Sequence, residues 1–228
     1  MLHYRGKKFD FVLNRTFVMG ILNATPDSFS DGGSFNTVET AVARARQIES
    51  EGGDIVDIGA QSTRPGYTLL PAEEELSRLM PVLKAVRAAV RLPISIDTFY
   101  PEVAEAALSE GADIINDVSG CEDERMLPLI AREEAACVIM RPRGVDYHGD
   151  VAYATHRWLE QASRRALEAG IPMESICLDP GIGFDTDYEQ SLALIRETQR
   201  VRVDGYAYLV GLSRKRVVGE ASGDSPTR

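Results

Sequence analysis

Asn23, Asp57, Asp97, Asn116 and Asp179 each follow a short apolar run, and Ser213-Arg214-Lys215 closes another. Polar side chains in that position are candidates for chemistry, because α/β proteins place ligands beyond the carboxyl ends of parallel strands. Asp97, Asn116 and Asp179 offer two carboxylates and an amide with no His or Cys beside them. Such oxygens could hold a hard metal ion. They could equally receive a flat heterocycle rich in N–H donors, since a carboxylate accepts two parallel bonds from an amino-pyrimidinone edge. Asn116 and Lys215 would then serve that ring's acceptor atoms.

A second constellation is Ser62-Thr63-Arg64-Pro65-Gly66. Its hydroxyls, guanidinium fork and glycine suit a phosphate or diphosphate. Asn23, on the neighbouring run, adds an amide oxygen able to ligate the Mg2+ that accompanies a diphosphate. No Ser–His or Cys–His arrangement offers a nucleophile. The histidines His3, His148 and His156 fall at a terminus, in a loop and in a helix, where solvated or structural roles are expected.

Strand–helix units must position these groups. The run Phe17–Leu22 reads as a fully buried parallel strand ending at Asn23. Helical spacing follows near 38–50, stopped by Gly52-Gly53 in a manner suited to a left-handed cap. Further strands are expected at 55–58, 94–96, 114–115, 137–140, 176–178 and 206–210. Helices are expected from Pro71 or Ala72, from Pro101 to Gly111, and at 122–133, 153–168 and 188–199, with 220–228 as loop.

The segments Glu51–Asp57 and Glu110–Asn116 echo each other as helix end, glycine stop, strand and terminal acid or amide. That repeat implies a (β/α)8-type barrel, of which seven strands are legible, in a single domain over 1–228. A doubly wound open sheet is the rival, but no Gly-x-Gly-x-x-Gly follows the first strand.

A net charge of −10 opposes nucleic acid or an anionic membrane as partner, so any anionic ligand needs a local basic cluster. Cys121, Cys137 and Cys177 lack Cys-x-x-Cys spacing, which argues against a zinc site or disulfide framework and for buried small hydrophobes. The N-terminus lacks the apolar core of a signal peptide, so a cytoplasmic protein is expected.

Met19–Gly33, Asp57–Gly66, Ile96-Asp97-Thr98, Ile114–Gly120, Leu178–Phe184 and Gly211–Lys215 resemble, in order and spacing, the dihydropteroate synthases of folate biosynthesis. The resemblance implies joining of 4-aminobenzoate to 7,8-dihydropterin-6-ylmethyl diphosphate, with release of diphosphate. By position, Asp97, Asn116, Asp179 and Lys215 would bind the pterin, and Met140 would line its pocket. Asn23 would hold Mg2+, while Thr63 and Arg64 contact the diphosphate. Phe29, Pro65, Phe184 and Lys215 would shape the aminobenzoate site, and Asp31 would order the closed loops. A homodimer is implied as well.

Two departures stand out. The family's last strand ends in Arg-x-His, which is missing here, so a further helix, strand and helix are expected in the gene. The fifth strand usually ends Met-His, whereas Met140 precedes Arg141. Arg141 and Arg143 could restore positive charge at the mouth or be solvated loop residues. Alternative functions are a non-catalytic pterin-binding relative and a methyltetrahydrofolate:corrinoid methyltransferase domain.

Overall fold

A computed structural model describes residues 2–4, 7–9, 15–24, 33–61, 69–147 and 149–223. A hairpin of β1 (Leu2–Tyr4) and β2 (Lys7–Phe9), which the sequence did not announce, precedes the main sheet. That sheet holds β3 (Met19–Asn23), β4 (Ile55–Gly59), β5 (Ile94–Asp97), β6 (Ile114–Asp117), β7 (Ala136–Met140), β8 (Ile176–Asp179) and β9 (Ala207–Tyr208). Its seven strands are all parallel and lie in strict sequence order. A doubly wound sheet would reverse its order at a switch point. Sequential order makes the sheet curl one way, as a barrel wall does.

The helices are α1 (Gly33–Ser50), α2 (Ala72–Ala89), α3 (Pro101–Ser109), α4 (Met126–Arg132), α5 (Val151–Glu168), α6 (Tyr188–Arg196), α7 (Thr198–Val201) and α8 (Arg216–Ser222). They cover the convex face. The larger apolar core lies between them and the strands, built from side chains such as Leu22, Ile58, Ile96, Ile115, Ile139 and Leu178. A smaller inner core fills the concave face with Ile55, Ile114, Ala136, Val138 and Cys177, flanked by Met19, Ala207 and Leu209. Two cores on alternate strand residues are the signature of a wall buried on both sides.

The echoed segments have a physical role. Asp54 accepts from the Val18 N–H at 2.9 Å and pairs with Arg15. Asp113 accepts from the Ile94 N–H at 3.0 Å and pairs with Arg87. Each repeated aspartate thus fixes where the preceding strand begins, and so sets the sheet register.

Several sequence expectations need correction. The first strand is not fully buried: Leu22 is 1% exposed, but Ile21 is 50% and Val18 54% exposed. Among the described residues β3 and β9 are the outer strands of the sheet, so one flank of β3 has no neighbour to cover it. The helix expected at 188–199 breaks at Glu197, and residues 220–222 continue α8 rather than a loop. The helix expected from Glu122 begins at Met126, because Asp123 draws the Arg125 N–H into a local turn at 2.9 Å.

Candidate active site

Strand register assembles the mouth. Asn23 pairs with Gly59, Gly59 with Asp97 and Asp97 with Asn116, so these residues form one row on the concave face. Gly59 leaves a slot in that row; a Cβ there would touch the Asp97 side chain at 3.5 Å. With strands about 4.8 Å apart, Asn23 and Asp97 stand about 10 Å from each other. Further along, Met140 pairs with Asp179, on the same face as the inner-core residues Val138 and Cys177. Sequence-distant residues therefore meet over one concave surface.

Asp57 lies one layer deeper, opposite Ser95, because β4 runs on to Gly59. It is 7% exposed, and Asn116 donates Nδ2–H to its Oδ2 at 3.3 Å. The sequence marked Asp57 as a polar strand end but assigned it no task. Its position shows one: it fixes the Asn116 amide and leaves that amide's oxygen to accept from a ligand.

The electrostatics of this floor are unfavourable to empty carboxylates. Burial holds the Asp57 carboxyl above its ordinary value, with the Ser95 hydroxyl and the Asn116 amide opposing. Asp97 is raised well above its ordinary value by burial and then by the charges of Asp57, Glu75 and Asp117. No hydrogen bond to its carboxylate exists among the described residues. Asp179 is also raised by burial, opposed by the Gly181 N–H, Lys215 and Arg141. A ring bearing N–H donors supplies what these carboxylates lack.

Beyond β8 the chain turns through Pro180–Phe184. Asp179 Oδ1 accepts from the Gly181 N–H at 2.7 Å. Lys215, just before α8, donates from Nζ to the Ile182 carbonyl and stands 4.7 Å from the centroid of the Phe184 ring. Burial lowers the Lys215 ammonium from its ordinary value, and Asp179 opposes that shift. The guanidinium of Arg143 approaches the same ring at 5.7 Å.

Arg141 takes neither place expected of it. It is wholly buried, and its guanidinium donates to the carbonyls of Pro180, Gly181, Phe184 and Pro142. A group so engaged offers nothing to a diphosphate. Arg143 does reach the rim, where it lines a groove of about 350 Å³ with Phe99, Val118, Ser119, Pro142 and Phe184. Phe29, Asp31, Thr63, Arg64 and Pro65 lie outside the described residues, as does His148. The cysteines are free and buried, and burial pushes the Cys137 thiol up to about 12. His156 donates from Nδ1 to the Arg202 carbonyl, 3.0 Å away, a surface role.

The chain matches the Pterin binding enzyme family over residues 19–228. It is 41% identical over 217 residues to the dihydropteroate synthase of Clostridium beijerinckii, covering 95% of this chain and 81% of that protein. The chain belongs to the dihydropteroate synthase family.

Two solved synthases extend the likeness to structure. The Xanthomonas albilineans dihydropteroate synthase with 4-aminobenzoic acid is 43% identical, covers 93% of this chain and 78% of its own, and superposes with a TM-score of 0.88. The Thermus thermophilus dihydropteroate synthase in complex with 6HMPPP is 45% identical, covers 97% and 81%, and has a TM-score of 0.83. The barrel-like sheet and the enzyme class of the dihydropteroate synthase family therefore hold for this chain. None of the described helices is long and apolar enough to cross a membrane.

Proposed function

We propose that the chain condenses 4-aminobenzoate with 7,8-dihydropterin-6-ylmethyl diphosphate to give 7,8-dihydropteroate and diphosphate. The observation that carries this reading is the concave row of Asp97 and Asn116, with Asp179 on the same face and Lys215 beside the loop that follows it. Two under-satisfied carboxylates can take the ring's N–H edges. The Asn116 oxygen and the Lys215 ammonium remain for its other polar atoms. Met140, on the same face, supplies apolar contact.

The carbon–oxygen bond to the departing diphosphate breaks, and the arylamine lone pair forms the new carbon–nitrogen bond as that nitrogen sheds a proton. The cation formed between these steps is resonance-stabilised, so no strong protein nucleophile is needed. Thr63 and Arg64 hold the departing anion in this reading. Phe29, Pro65, Phe184 and Lys215 shape the aminobenzoate site, and Asp31 orders loops that exclude water.

Asn23 is an exposed strand-end amide, a single neutral oxygen donor. Among the described residues no group of three or more His, Cys, Asp or Glu could hold a metal. This donor set fits Mg2+ that keeps its own waters and shares the diphosphate, not a resident metal centre. Bound there, Mg2+ would neutralise charge on the leaving group. The reading extends to one barrel domain over 1–228, acting in the cytoplasm as a homodimer, and light scattering of the purified chain tests the last point.

The corrinoid methyltransferase alternative has no use for Ser62–Gly66 or Ser213–Lys215, and the matched relatives above are synthases. Detection of dihydropteroate and diphosphate from the two substrates tests the reading; pterin binding with no product would make the chain a non-catalytic relative. Arg64→Lys keeps charge but removes the fork, so it should weaken the pterin diphosphate about tenfold while leaving a phosphate-free pterin nearly unchanged. Calorimetry with both ligands checks this. Equal weakening would place the anion site elsewhere.

A further inference from the structure

The turn Pro180–Phe184 belongs to no helix or strand, yet most of its carbonyls are engaged by two cations. Arg141 donates from Nε to Pro180 O at 2.9 Å and from Nη2 to Gly181 O at 2.9 Å and Phe184 O at 2.7 Å. Its third arm, Nη1, donates to Pro142 O at 2.8 Å, and Lys215 takes the Ile182 carbonyl. The Phe184 N–H closes the turn on Gly181 O at 3.0 Å, and the Arg141 N–H pairs with Asp179 O at 2.9 Å. Gly181 is left-handed at φ +68, and a Cβ there would stand 2.5 Å from the Arg141 carbonyl. The turn and the ends of β7 and β8 therefore form one locked body.

We propose that Arg141 is a positioning residue for the reaction: its buried fork holds the Pro180–Phe184 turn and thereby sets where Asp179 and Lys215 meet the pterin ring. This rests on the pterin reading given above. A lysine could not replace it, because one ammonium cannot span three carbonyls that a planar fork reaches at once.

The guanidinium has a second consequence, since no carboxylate forms an ion pair with it among the described residues. Its field falls on Asp179 and favours the ionised carboxylate that must accept from the ring. Asp179 is also faced by Lys215, by Tyr208 on β9 and by the Cys177 thiol of its own strand. Arg141 itself is faced by Tyr147, whose ring lies 5.3 Å away, and by Asp185. Removing the guanidinium should let burial raise Asp179 further. Pterin affinity, lost as pH falls through that carboxyl's pKa, should then be lost at higher pH.

Calorimetry with 7,8-dihydropterin-6-ylmethyl diphosphate across the acid range tests the proposal on Arg141→Lys and Arg141→Met. Arg141→Lys keeps charge without the fork and should bind about tenfold more weakly, with the acid midpoint where wild type has it. Arg141→Met should bind at least as weakly, with its midpoint moved upward. If Arg141→Met melts below the assay temperature, the affinity of Arg141→Lys decides alone. Wild-type affinity in Arg141→Lys, or an unmoved midpoint in a folded Arg141→Met, overturns the proposal. A wild type that binds no pterin overturns the parent reading and this inference with it.

Discussion

Asp97→Asn should raise the melting temperature of the ligand-free protein and weaken pterin binding by about tenfold to a hundredfold or more. Asp97 carries the like-charge pressure of Asp57, Glu75 and Asp117 on top of burial, and no hydrogen bond among the described residues relieves it. Its pKa in the folded protein lies well above the ordinary 3.8, so the folded state holds this proton more tightly than the unfolded chain. Stability therefore falls as pH rises from the ordinary value through the raised one, and above that range the Asp97 carboxyl opposes folding.

Asparagine removes that charge at nearly constant shape. The gain should be about 1–3 kcal/mol, a rise of about 2–4 °C for each kcal/mol in a chain of this size. It should vanish at pH values where Asp97 is protonated in both states. The same substitution sets an amide N–H against the ring's donors and loses one acceptor, which weakens binding by about tenfold to a hundredfold or more. Thermal melts and calorimetry on one preparation read both effects. A melting temperature that falls with pterin affinity would mean that Asp97 serves the fold, not the ligand.

Lys215→Met should lower kcat/KM for the pterin substrate by about 10²–10³, the scale for removing a charge-stabilising donor from an active site. The substitution withdraws a cation from Asp179, leaves the Ile182 carbonyl without its side-chain donor, and strips the Phe184 ring of its nearer cation. The wild-type pH profile should be bell-shaped. Its acid limb should lie above the ordinary carboxylate value, since Asp97 and Asp179 are raised and must be ionised to accept. Its alkaline limb should lie below the ordinary 10.5 of lysine, because burial lowers Lys215 and the ammonium is lost as pH rises through that value. Lys215→Met should move the acid limb upward, because Asp179 loses a cation, and should lose the alkaline limb. An alkaline limb that survives the substitution would belong to another group.

What the sequence made legible was local. Apolar runs ended by Gly, Asp and Asn located the strands, and their uniform polar ends located the mouth, because a parallel barrel brings all those ends to one side. The apolar run alone made the first strand read as fully buried, whereas the count of seven legible strands implied an open edge on it, and the exposure of Ile21 agrees with the count. Asp57 was read as a strand end because Ile58 and Gly59 carry no polar signal, and only the register set it a layer below Asp97. Arg141 was misplaced for a related reason: its carbonyl partners at Pro180, Gly181 and Phe184 lie 39, 40 and 43 residues along the chain. Main-chain acceptors leave no residue-type trace, so nothing near Arg141 distinguishes a buried clamp from a rim cation. Hydroxyls and carboxylates also conceal which polar strand ends face a ligand and which serve a turn. Asp117, for example, spends its Oδ1 on the N–H and hydroxyl of Ser119 at 2.7 and 2.6 Å.

A crystal structure of the chain with 7,8-dihydropterin-6-ylmethyl diphosphate tests the central claim most directly. The account predicts the ring on the concave face, with its N–H edges within hydrogen-bond distance of the Asp97 and Asp179 carboxylates and Asn116 and Lys215 at its other polar atoms. A ring seated instead in the groove between Phe99 and Phe184, with both carboxylates untouched, would contradict it.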